Sequence, residues 1–248
     1  WEVALRLADA PGRASFRLHR YVEVGVCVRL ARGIFHRTRT VTLSPRYLLL
    51  NETGLTLLVR QDGGLSMQRL PPARDAQCVA WHWPDTSSRQ RRLMRFGLDD
   101  SDGADGLEGA AGGVWQQGWS GCVCLGRVGD AAVMIEPRSA RPGPVTLDVS
   151  VRQVLGSMLC VVSRRESGRP PYMLENLSSS ALRVYQAGSP KPVKLLRPYQ
   201  CVPYAWDVPA TRGEGGGAGG GNLLAVEVEG SSPLVCGHYA LDRVGEHR

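Results

Sequence analysis

The 248-residue chain repeats itself, and the length of the repeat decides what it can fold into. Tyr47-Leu48-Leu49-Leu50-Asn51, followed by Gln61, Leu70 and Trp81-x-x-Pro84, returns as Tyr172-Met173-Leu174-Glu175-Asn176, followed by Gln186, Leu196 and Trp206-x-x-Pro209. Tyr47/Tyr172, Asn51/Asn176, Gln61/Gln186, Trp81/Trp206 and Pro84/Pro209 each lie 125 positions apart, and Leu70/Leu196 differs by one, a slip that a loop absorbs. Five residue types held in register mark a duplication. Roughly eight strands of ordinary length fit in such a period, so each copy is expected to be a sandwich-sized module, not a solenoid turn.

The local patterning agrees with strands. Leu55–Arg60, Gly121–Leu125, Val145–Val151 and Leu223–Val228 are short, rich in β-branched residues and partly alternating, with Gly, Pro, Asn or Asp between many of them. Arg91–Leu98 carries a weak helical stripe and is assigned to a strand by its neighbours. The fold expected is all-β: tandem β-sandwich modules in a repeat array, with polar Gly-rich insertions at 99–113 and 211–221. Residues 1–44, with apolar strands at Tyr21–Leu30 and Ile34–Leu43, read as the end of a preceding repeat. Residues 45–168 read as a complete sandwich, and 169–248 as the start of the next. The opening Trp1-Glu2-Val3, without an initiator Met, fits a piece of a longer protein.

Within each copy, three apolar residues run into Asn, a short polar turn follows, and a second strand ends at Gln. Asn suits such a strand end because its amide bonds nearby backbone and tolerates left-handed geometry. Tyr47, Gln61, Trp81, Pro84, Tyr172, Gln186, Trp206 and Pro209 are the expected structural anchors. Asn51-Glu52-Thr53 and Asn176-Leu177-Ser178 also spell glycosylation sequons, but the repeat accounts for both asparagines and the seven scattered cysteines do not look like a disulfide framework.

Several chemistries find no footing. Cys122-x-Cys124 has no second ligand pair to complete a zinc site. Gly215-x-Gly217-x-x-Gly220 precedes an extended apolar segment where a dinucleotide fingerprint needs a helix. No Gly-x-Ser-x-Gly elbow or paired histidine spacing stands out, so neither an enzyme nor a cofactor is expected. No apolar run reaches eighteen residues. The net charge of +7 has its densest run at Arg89, Arg91, Arg92 and Arg95, which offers an alternative function: direct binding of anionic phospholipid headgroups.

The segments YLLLNETGLTLLVRQ, YMLENLSSSALRVYQ and LLRPYQCVPYAWDVP, with GIFHRTRTVTLSPRYLLLN and HYALDRVGE, resemble the adaptor-binding repeats of the vacuolar protein sorting-associated protein 13 family. Those are bridge-like lipid transfer proteins of membrane contact sites, and the region is also known in plants as a SHORT-ROOT-binding domain. The resemblance implies a non-catalytic module on the cytoplasmic face of organelle membranes, attached peripherally through its parent protein, with no nucleic-acid partner. It implies partners among organelle adaptor proteins carrying Pro-x-Pro motifs, and it places the adaptor-binding candidates at Asn51 and Asn176. The first copy departs from the family pattern, with Val79-Ala80-Trp81-His82-Trp83-Pro84 where Tyr-Ala-Trp-Asp is expected, which bears on the role of that Asp and not on the fold.

Overall fold

A computed structural model describes residues 2–6, 21–84, 92–99, 118–136, 143–165, 169–188, 194–208, 222–230 and 236–241. Most of these residues are in strands, and the only helical element among them is a single 3-10 turn at Gly33–Phe35. No helix among the described residues is long and apolar enough to cross a membrane. The Gly-rich stretches, apart from Asp99, lie outside the described residues, as do Arg89, Arg91 and Pro209.

The strands are β1 (Glu2–Arg6), β2 (Tyr21–Leu30), β3 (Arg39–Pro45), β4 (Tyr47–Asn51), β5 (Leu57–Gln61), β6 (Met67–Leu70), β7 (Val79–Trp81), β8 (Leu93–Leu98) and β9 (Val123–Cys124). They continue with β10 (Gly129–Ile135), β11 (Val145–Val154), β12 (Ser157–Arg164), β13 (Tyr172–Glu175), β14 (Leu182–Gln186), β15 (Lys194–Leu196), β16 (Cys201–Tyr204), β17 (Leu224–Val228) and β18 (Cys236–Tyr239). Leu93–Leu98 is a strand, as its neighbours imply. The expected strand Ile34–Leu43 is corrected: Gly33 takes a positive φ, the chain makes the 3-10 turn, and the strand begins only at Arg39.

Two sheets form the central sandwich, in the orders β10-β11-β12-β4-β7 and β6-β5-β8-β9. All pairings are antiparallel except β12 with β4, where Cys160 lies opposite Leu49 in a parallel register. The inward residues alternate along each strand: Val145, Leu147, Val149 and Val151 on β11, Leu57 and Val59 on β5, Met94 and Phe96 on β8. With Leu49, Leu70, Ile135 and Val162 they close one apolar core drawn from both sheets. Removing such a side chain costs about 2–5 kcal/mol, because the close-packed interior only partly refills.

The same pairings recur in the second copy. β4·β7, β5·β6, β5·β8 and β8·β9 correspond to β13·β16, β14·β15, β14·β17 and β17·β18. Leu57 faces Leu70 as Leu182 faces Leu196, which reproduces the repeat read from sequence.

The register corrects one detail of that repeat. Tyr47 pairs with Trp81, whereas Tyr172 pairs with Tyr204 and not with Trp206. Each copy therefore has a cluster of three rings. Trp83 meets Tyr47 at 5.4 Å and Trp81 at 5.8 Å, both edge-on, and Trp206 meets Tyr172 at 5.6 Å and Tyr204 at 5.3 Å. Trp83, not Trp81, is thus the counterpart of Trp206, and Pro84 stands where the second copy has Asp207. Trp81-His82-Trp83-Pro84 is the first copy's version of Tyr204-Ala205-Trp206-Asp207, with Trp replacing Tyr and no carboxylate.

Candidate functional site

Asn51 and Asn176 end β4 and β13, and each has only 1% of its surface exposed. The Asn51 Nδ2 donates to the carbonyls of Leu55 and Leu70, both at 2.8 Å, while Oδ1 accepts from the Thr53 amide at 3.0 Å and its hydroxyl at 2.7 Å. Asn176 repeats this arrangement. Its Nδ2 donates to Ser180 O at 2.9 Å, Arg197 O at 3.0 Å and Leu196 O at 3.2 Å, and its Oδ1 accepts from the Ser178 amide at 3.0 Å and hydroxyl at 2.7 Å. In both copies the hydroxyl two residues on also bonds the residue at plus four.

An amide has two donors and about two acceptor sites, and here all are satisfied within the chain. Each asparagine is a lock that ties a strand end, a tight turn and the exit of the next hairpin. The sequons gain a physical explanation. The Ser or Thr two positions after Asn is there to donate its hydroxyl to Oδ1, and the buried, doubly bonded Nδ2 leaves no room for a glycan.

Gln186 is a second lock. Its Nε2 donates to Val208 O and Asn222 Oδ1, both at 3.0 Å, and its Oε1 accepts the amides of Asp207 at 2.9 Å and Val208 at 3.0 Å. Gln61, its counterpart, is also buried.

The segment held by Gln186 meets the first copy. Arg95 on β8 donates Nε to Asp62 at 2.6 Å and Nη1 to Ser120 O at 2.8 Å and to Asp207 Oδ1 at 3.2 Å. The Cys122 amide donates to Asp207 O at 2.6 Å, and a Cβ on Gly121 would stand 2.5 Å from Trp206 O. Lys194 adds a bridge to Glu136 at 2.5 Å. Burial disfavours the Arg95 charge, but the Cys122 sulfur, Asp62 and Asp207 outweigh it and hold the guanidinium above its ordinary range. A carboxylate with no counterpart in the first copy thus joins the two copies.

The two described arginines of the basic run, expected as headgroup contacts under the alternative reading, make contacts within the chain. Arg95 is buried in the junction. Arg92 pairs with Glu23 of β2 and lies 5.5 Å over the Trp83 ring, so it fastens the preceding sheet to the sandwich. Charge density along a run of sequence does not reveal that Arg92 and Arg95 pair with carboxylates within the fold.

The thiols offer a test of packing. Burial pushes Cys160 up to about 12, and burial, opposed by Arg95, pushes Cys122 up to about 12 as well. Both should resist iodoacetamide at neutral pH in the native chain, while exposed Cys78 and Cys201 are alkylated. Mass spectrometry of the labelled peptides checks this, and fast native labelling of Cys160 would contradict it.

The outward residues around the two asparagine locks differ. Leu177, immediately after Asn176, is 74% exposed, and Tyr199 on the neighbouring turn is 73% exposed. The Asn176 amide bonds Gln200 O, so the two turns are adjacent. The first copy has Glu52 and, in the register set by Tyr47 with Trp81, Ala76 at these places. Sequence reasoning singled out the asparagines and missed this apolar pair. The signal available was the replacement of Glu52 by Leu177 between copies.

Comparison with known proteins agrees with this architecture. The family model described as vacuolar-sorting associated protein 13, adaptor binding domain, matches residues 9–213. The chain is 22% identical over 184 residues to the intermembrane lipid transfer protein vps13D of Dictyostelium discoideum, an alignment covering 73% of this chain and 4% of that much longer protein. With both asparagine locks and the junction between the copies inside the matched span, the chain belongs to the adaptor-binding domain family of vacuolar-sorting associated protein 13.

Proposed function

We propose that this chain is a non-catalytic adaptor-binding module of a bridge-like lipid transfer protein, part of a longer array of such repeats. It recognises Pro-x-Pro-type segments of organelle adaptor proteins and thereby directs its parent to membrane contact sites, on the cytoplasmic face of organelle membranes. The observation that carries the reading is the state of Asn176: fully bonded inside the chain, it acts as a positioning residue that presents Leu177 and Tyr199. A Pro-containing segment is extended and poor in donors, and it docks on aromatic and apolar side chains. The second copy offers these and the first does not.

The backbone of Tyr199 supplies a control for the assignment. It holds φ at 57°, a left-handed conformation that is costly for an aromatic residue and natural for Gly. Ala76, its counterpart in the first copy, holds φ at 56°, so the turn imposes this conformation in both copies and the second copy places an exposed aromatic ring on it. A pull-down with a Pro-x-Pro peptide and its Pro-to-Ala control tests the reading. The first should be retained and the second lost. Tyr199→Gly should abolish retention while leaving Tm unchanged or raised, which separates binding from folding. Equal recovery of the two peptides would sink the proposal, and so would full binding by Tyr199→Gly.

A further inference from the structure

We propose that the tip of the β2–β3 hairpin is a membrane-docking finger that enters the interface of an anionic lipid bilayer. The hairpin's last register pair is Leu30 with Arg39, and one backbone bond, from the Ala31 amide to Thr38 O at 2.8 Å, closes the tip beyond it. Ile34 crowns the turn with 87% of its surface exposed, and Leu30 shows 66%. Val28 and Val41, which face each other two pairs further back, are exposed too.

Four arginines surround this apolar crown: Arg29, Arg32, Arg37 and Arg39, all exposed. None forms an ion pair among the described residues, and the sequence holds no Asp or Glu between Glu23 and Glu52. An apolar tip ringed by unopposed cations is complementary to lipid, with acyl chains for Ile34 and Leu30 and anionic headgroups for the guanidinium ring. A protein partner covering the same residues would need to supply several buried carboxylates. A packed neighbour of ordinary core composition would leave the four charges desolvated.

The molecule contains its own control. The β11–β12 hairpin turns on Leu155-Gly156 alone, between the paired Val154 and Ser157, and that turn packs onto β2, where a Cβ on Gly156 would stand 2.9 Å from Val26 O. The β2–β3 hairpin carries residues 31–38 at its turn, and Arg32, Ile34, Arg37 and Thr38 there are exposed. The finger lies on a different element from Leu177 and Tyr199, so its success or failure is independent of peptide recognition.

The test is flotation of the 248-residue chain with phosphatidylcholine vesicles, with and without phosphatidylserine at about 30%, at low and high salt. Binding should require phosphatidylserine and collapse in high salt. Replacing the four arginines by Gln should weaken it by about a hundredfold or more, given the attraction each basic residue adds at such a surface. Ile34→Asp should abolish it, and Ile34→Trp should bind at least as tightly as the parent, since indole favours the interface. Unaltered Tm in these exposed-site variants excludes misfolding as the cause. The proposal fails if the chain does not float with anionic vesicles, if Ile34→Asp floats undiminished, or if Ile34→Asp changes only self-association in sedimentation, which would make the tip a contact between copies.

Discussion

Asn51→Asp should destabilise the fold by about 3–5 kcal/mol, although it exchanges one amide nitrogen for oxygen. The wild-type Nδ2 donates to two carbonyls at 2.8 Å from a site with 1% exposure. A carboxylate there sets oxygen against two oxygens in a place that water cannot reach. Asn176→Asp faces three carbonyls and should behave alike. For a unit of this size such a loss lowers Tm by about 10 °C or more. The sign of the pH dependence follows from the same contacts. The introduced carboxyl is held protonated in the native state, so its folded pKa lies above the unfolded value of about 4. The deficit against wild type is therefore smallest below that unfolded pKa, where the acid proton replaces one lost donor. It grows by about 1.4 kcal/mol per pH unit as pH rises towards the folded pKa. Thermal melts of both variants from pH 4 to about pH 8 check this. A deficit under about 1 kcal/mol at neutral pH would mean that the locks are not structural.

The second large effect is Gly121→Ala. No positive φ is recorded at Gly121, so the change introduces no left-handed backbone strain. The added methyl would stand 2.5 Å from Trp206 O and 2.7 Å from Asp207 O, both backbone atoms that cannot swing aside. The junction must open, which breaks the bond from the Cys122 amide to Asp207 O and the reach of Arg95 to Asp207. The expected cost is about 2–4 kcal/mol, concentrated between the copies. Hydrogen exchange should show the Cys122 amide losing protection while Leu147 and Val149, deep in the sandwich, keep theirs. Uniform loss across the β11 amides would show instead that Gly121 supports the whole core.

How legible this was depended on the range of the physics involved. Strands and the duplication could be read directly, because alternation along Val145–Val151 and the Asn-x-Ser/Thr turn are local demands of backbone and burial. The hydroxyl at Thr53 and Ser178 was visible as half of a sequon, and its structural role lies within two residues. The matching of Trp81 with Trp206 failed for a different reason. Both copies offer an indole three residues before a proline, but the chain between Leu70 and Trp83 is longer than that between Leu196 and Trp206. Strand pairing, which is indifferent to side-chain identity, chose Trp83. Arg95 was unreadable as a junction residue because Asp207 lies 112 positions away. A basic run on paper carries no record of which partners wait across the fold.

The parallel pairing of β4 with β12 has a consequence for synthesis. Roughly 110 residues separate Asn51 from its partner Val162, so at about 5–20 residues per second the ribosome delivers β12 roughly 5–20 s after β4. Throughout that interval one edge of Tyr47–Asn51, with its three leucines, has no strand to pair with. The nascent chain passes through a sticky half-sheet whose protection depends on chaperones and on the pace of translation. Codon changes that slow the stretch between β5 and β11 should lower the soluble yield without altering a single residue.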